Sequence, residues 1–75
     1  MEMTVNDATE LADAGERARI ATEQLTSEGN PLRWVRSVYV PEHRTGQLVF
    51  EAPTSQAVDE ASRRAGLTYR RIFAC

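Results

Sequence analysis

Between Asp7 and Ser27 the apolar positions Leu11, Ala14, Ala18, Ala21 and Leu25 recur at spacings of three and four, the stripe of an amphipathic helix. Asp7 with Glu10 three residues later reads as a capping box, with Thr4 and Asp7 as an alternative start. Acidic residues crowd the first turns, where the helix dipole favours them. Gly15 inside the stripe costs roughly 1 kcal/mol relative to alanine and permits close packing. Gly29-Asn30-Pro31 ends the helix.

The pattern then changes to a period of two. Leu32 to Val40 is rich in Trp, Val and Tyr and predicts a strand. Strict alternation puts Leu32, Trp34, Arg36, Val38 and Val40 on one face and Arg33, Val35, Ser37 and Tyr39 on the other. The first set is the more apolar, so Trp34 and Val38 are expected to face the helices, leaving Val35 and Tyr39 on the open face. Pro41 and Gly46 bracket a hairpin loop. Gln47 to Ala52 alternates again, Leu48, Phe50 and Ala52 against Gln47, Val49 and Glu51, and predicts a half-buried antiparallel strand. Pro53-Thr54-Ser55 is a stop followed by an N-cap. Ala57, Val58, Ala61 and Ala65 then form a small-residue helical stripe that Gly66 closes, and Leu67 to Ala74 predicts a terminal strand. The order is α-β-β-α-β. One more strand ahead of these makes it βαββαβ, a ferredoxin-like α+β domain with two helices on one face of an antiparallel sheet; within residues 1–5 Met3-Thr4-Val5 is a short or vestigial first strand, or that strand is absent, or a partner chain fills its place. The final strand needs the first as its neighbour. A stub of about four residues at ~3.3 Å each leaves it poorly ordered or paired with a second subunit.

With 75 residues the chain is one domain, 1–75, and buries only about 60% of its unfolded surface. Chains of ~70–80 residues commonly need a staple. The single cysteine, Cys75, excludes an intramolecular disulfide, and the single histidine cannot anchor a zinc knuckle. Self-association is the remaining route, and the open sheet face is the surface to cover. All nine basic residues are arginine, which excludes Schiff-base, pyridoxal-phosphate and P-loop lysine chemistry. Residues 1–31 carry seven acids against two arginines, and residues 32–75 carry seven arginines against four acids. The acidic total and the wide spacing of the arginines exclude nucleic acid as a partner. No apolar run reaches the length of a membrane span. The polar, acidic N-terminus is no signal peptide, and the lone thiol fits a reducing compartment, so the cytoplasm is expected.

The succession Arg33-Trp34-Val35-Arg36-Ser37-Val38-Tyr39-Val40-Pro41-Glu42, followed by Phe50-Glu51-Ala52-Pro53, Ala57-Val58 and Arg64-Ala65-Gly66, resembles a family of small bacterial ferredoxin-like proteins of unknown function, one branch of which is described as nickel-binding. The similarity covers roughly residues 32–72. It implies a homodimer in which two sheets pack as a sandwich, with nickel as the candidate metal. The short N-terminus departs from the pattern.

His43, in the hairpin loop beside Glu42, is the candidate metal ligand, because neutral imidazole suits nickel and zinc. Further donors would come from Glu42, Glu51, Cys75 or the His43 of a second copy. Against this, a turn histidine is ordinarily solvated, and Arg44 beside it discourages a cation. Cys75 at the chain end lacks the cation and base that activate a thiol. The Arg63-Arg64 and Arg70-Arg71 pairs suit an anion clamp but more often flank an element end. No catalytic residue emerges. The expected function is therefore a non-enzymatic dimeric binding protein. The alternative is a small cofactor-free monooxygenase or isomerase with a pocket lined by Trp34, Tyr39 and Phe50.

Overall fold

In the computed structural model, which describes residues 1–73, the elements follow in the order β1 (Glu2–Thr4), α1 (Ala8–Ser27), β2 (Arg33–Val40), a single 3-10 turn (Pro41–His43), β3 (Thr45–Glu51) and α2 (Ser55–Ala65). Local chemistry sets the helix ends. The Asp7 carboxylate accepts the Glu10 N–H at 2.8 Å, and the Glu10 carboxylate reaches back to the Asn6 N–H at 3.0 Å. Thr54 caps α2 by accepting the Ala57 N–H at 3.2 Å, and Gly66 closes it in the left-handed conformation (φ 70°). No helix among the described residues is long and apolar enough to cross a membrane.

The fold is α+β: a three-stranded antiparallel sheet in the order β1-β3-β2, with both helices packed on one face. Leu11, Ala14 and Ala18 of α1 and Val58 of α2 meet Leu48 of β3 and Met1, Met3 and Val5 in the main core. A second cluster, Ala21, Leu25, Leu32 and Ala61, is the small-residue seam between the two helices. Gly46 lets α1 approach β3. A Cβ there would sit 2.6 Å from Leu11 Cδ1, inside a core that leaves Leu11 little room to yield. Gly15 does the same where α1 crosses β2, with a Cβ 2.8 Å from Ser37 Oγ and 3.3 Å from Trp34 Cζ2.

The expected faces of β2 hold for Trp34 and reverse beyond it. Trp34 pairs with Phe50 and Arg36 with Val49, so Val35 is an extra residue, a bulge. Past the bulge every side chain changes face. Ser37 pairs with the fully buried Leu48, and Tyr39 with Gly46, so Ser37 and Tyr39 lie on the helix side. Val38 pairs with Gln47 on the helix-free side and is 37% exposed. The open face therefore carries Val38, Val40 and Val49 with Arg36 and Gln47, not Tyr39. Strict alternation fails here because one inserted residue shifts a period of two by half a turn.

The first strand is the stub the sequence predicts, and it is fully employed. Met1 adds one rung beyond it: its amine donates to the Leu48 C=O and its own C=O accepts the Leu48 N–H, both at 2.9 Å. Leu67 to Ala74 forms no strand over its described part, residues 67–73. It touches the sheet through a single bridge, where the Glu2 N–H donates to the Arg71 C=O and the Arg70 N–H to the Glu2 C=O, each at 2.8 Å. The segment thus docks on the chain's own first strand, through one rung in place of the expected strand. Two side-chain contacts make up for the missing ladder. Arg71 bonds the Glu2 carboxylate at 2.9 Å, and the Tyr69 hydroxyl donates to Asp59 at 2.5 Å. A bridge lying outside β1 is compatible with a ferredoxin-like sheet.

Two predictions follow from this packing. Tyr39→Ala is expected to cost roughly 2 kcal/mol in urea unfolding, whereas Val38→Thr stays within about 0.5 kcal/mol. The reverse ranking would mean that the bulge does not invert β2. The Tyr69 phenol titrates above its usual range, chiefly because it donates to the Asp59 carboxylate and secondarily through burial. Raised in the folded state, it stabilises fully below the ordinary tyrosine range and loses that contribution as pH rises through the folded value. The stability advantage over Tyr69→Phe should accordingly be level near neutrality and vanish at high pH. An advantage that grows with alkalinity would contradict the contact.

Candidate functional site

The turn between β2 and β3 is built from its backbone outward. Pro41 opens the 3-10 turn with its fixed φ, and Arg44 closes it in the left-handed region (φ 49°), a conformation uncommon for a residue with a Cβ. Three bonds hold it there. The Arg44 N–H donates to the Pro41 C=O at 3.2 Å, the Val5 N–H to the Arg44 C=O at 2.9 Å, and the Thr45 hydroxyl to the His43 C=O at 3.0 Å. The stub β1 and its continuation at Val5 thus brace the loop from one side. Glu42 and His43 stand exposed on this clamped backbone.

The other expected donors are elsewhere. Glu51 lies at the far end of β3, bonded to Arg33 at 2.9 Å, a contact that lowers its carboxyl below the ordinary range. Cys75 lies outside the described residues. Among the described residues no group of three or more His, Cys, Asp or Glu side chains gathers. Nickel(II) with nitrogen and oxygen donors takes square-planar or tetragonal sites of at least about four ligands. One imidazole and one neighbouring carboxylate do not complete such a centre. The arginine pairs are largely committed. Arg63 bonds Asp59 at 3.0 Å, Arg64 forks onto Glu28 and so ties the end of α2 to the end of α1, and Arg71 holds Glu2. Arg64 also keeps the Glu28 carboxyl below its usual range.

Trp34, Tyr39 and Phe50 do not surround one cavity. All three pack against the main core as part of its wall, and the Trp34 indole lies against Gly15 with its Nε1 buried and without a hydrogen-bond partner among the described residues. Phe50 alone of the three lines a cleft of about 510 Å³, together with Met1, Leu48, Val58, Ile72 and Phe73. Leu48 is bonded to Met1, and alternate residues of a strand face the same neighbour, so the main chain of Phe50 faces this cleft. A second, shallower groove of about 790 Å³ lies among Thr22, Thr26, Pro31, Leu32, Ala52 and Pro53. The Thr22 and Thr26 hydroxyls there are taken up by the carbonyls of Arg19 and Leu32, at 2.8 Å each.

The family model described as nickel responsive protein SCO4226-like matches residues 1–74. No curated protein and no solved structure matches the chain.

Proposed function

The chain belongs to the nickel responsive protein SCO4226-like family, and from that premise we propose that it is a non-enzymatic cytoplasmic binding protein of ferredoxin-like fold. In this reading it works as a homodimer and engages nickel(II) through Glu42 and His43. The observation that carries it is the turn itself. The chain's single imidazole is exposed on a backbone held by three hydrogen bonds, so little ordering is required when a metal arrives. Neutral imidazole and carboxylate oxygen are donors that nickel(II) accepts.

Support for the dimer comes from the open face of the sheet. Val38, Val40 and Val49 form its apolar centre, and among the described residues no helix packs on that side. A second copy's sheet laid on this patch would remove it from water, and a domain this small gains proportionately from such burial. Support for the ferredoxin-like topology comes from the Glu2–Arg71 bridge, which puts the C-terminal segment on the outer side of β1.

Nickel(II) titration by calorimetry, with the mass in solution measured on the same samples, tests this reading. Wild type should bind and run as a dimer. His43→Ala should weaken binding at least ~tenfold while leaving the mass and the far-ultraviolet spectrum unchanged, since His43 is exposed. Equal binding by wild type and His43→Ala would remove His43 from the site, and a monomer at micromolar concentration would remove the dimer.

A further inference from the structure

A strand edge, an apolar wall and a helix end meet in the cleft beside Phe50. β1 is bonded to β3 as far as Leu48, opposite Met1. The next residue of β3 facing that side is Phe50, and its N–H and C=O meet no partner among the described residues. The Phe50 side chain, Val58 and Ile72 wall the cleft. Phe73 lines it too, 57% exposed, with the Arg71 guanidinium carbon 4.7 Å from its ring centre. We infer that this cleft takes the C-terminal end of an extended peptide from another protein. The peptide's main chain pairs with Phe50, its last apolar side chain enters between Phe50, Val58 and Ile72, and its carboxylate meets the start of α2.

Each part of that occupant answers one feature of the cleft. An unpaired strand edge is a template for another extended backbone, because only that presents N–H and C=O groups at matching intervals. A helical partner has its own main-chain groups bonded internally and leaves those of Phe50 unmet. The apolar walls accept a side chain from alternate positions of such a strand. Charge selects the peptide's end. Thr54 and Ser55 line the cleft where α2 begins, and the first N–H groups of a helix have no partner within it. Thr54 accepts from Ala57 alone, no acidic residue stands in the first turn, and Arg63 and Arg64 stand in the last. The positive end of the dipole is thus unneutralised on the cleft side. Glu51, the acidic residue of the cleft wall, is already held by Arg33. A peptide carboxylate supplies the missing negative charge, and at about 510 Å³ the cleft holds a chain end rather than a domain.

The test is a titration of nitrogen-15-labelled protein with acetylated tetrapeptides that end in Ala, Val, Leu, Ile or Phe with a free carboxylate. The same peptides amidated at the C-terminus, and N-methylated along the main chain, serve as controls. The free acids should shift the amides of Phe50, Ser55 and Val58 and slow hydrogen exchange at Phe50. Amidation or N-methylation should each weaken binding by about tenfold or more. Ser55→Asp sets a like charge against the peptide carboxylate at a helix position that favours acids, so it should abolish the preference for the free acid without lowering thermal stability. No shift at Phe50 with any free acid at millimolar concentration would overturn the site. Undiminished binding after N-methylation would overturn the main-chain pairing, and an unchanged free-acid preference in Ser55→Asp would overturn the role of α2. Slow exchange at Phe50 before any peptide is added would show the edge to be filled already, by a second copy where protection rises with protein concentration, and would overturn the peptide as occupant.

Discussion

The structure hangs on a strand of three residues. β1 supplies no length, yet Met1, Met3 and Val5 are all buried, and their backbone is bonded on both sides. Towards β3 it adds the Met1–Leu48 rung and the Val5–Arg44 bond. On its other side Glu2 is the residue of β1 that bonds the C-terminal segment. Two features follow from this one placement. The buried side chains of Met1, Met3 and Val5 fill the space beneath α1 and α2. Val5 pins the left-handed Arg44 and with it the turn that presents His43. In a 75-residue domain each such tie is a large share of the whole, because net stability is a small difference between large opposing quantities.

Most of the fold was legible from period and punctuation. The α1 stripe, the Asp7 and Thr54 caps and the Gly66 stop each rest on local chemistry that tertiary contacts do not disturb, and they lie where the spacing puts them. The stub of a first strand was also readable, from a count of residues ahead of α1. Two things were not. The bulge at Val35 carries no glycine and no break in β propensity, so nothing in the sequence marks the residue at which Val38 and Tyr39 exchange faces. The terminal segment has strand-like composition but finds only three residues of β1 to pair with, so its ladder shrinks to the rung at Arg71. Composition describes what a segment can do, and the neighbour decides what it does.

The site was legible in part and for a narrower reason. His43 stands out in the sequence because it is the only imidazole, and Pro41 and Gly46 place it in a turn. What spacing could not reveal is that Arg44, rather than Gly46, takes the left-handed conformation. Gly46 is needed instead for its missing Cβ beneath Leu11. Nor could it show that Trp34, Tyr39 and Phe50 form core wall, since that depends on the bulge and on the close crossing of α1 at Gly15. Two glycines that look alike in the sequence thus serve packing, and the strained backbone falls to an arginine beside the candidate ligand.

Site-resolved native-state hydrogen exchange tests the central role of β1 most directly. If the stub holds the sheet, the amides of Val5, Leu48, Glu2 and Arg70, which bond across its two sides, should be protected and open together with a common free energy. Free-peptide exchange at Glu2 and Arg70 while Leu48 remains protected would show that the C-terminal segment is not held by β1, and would contradict the account.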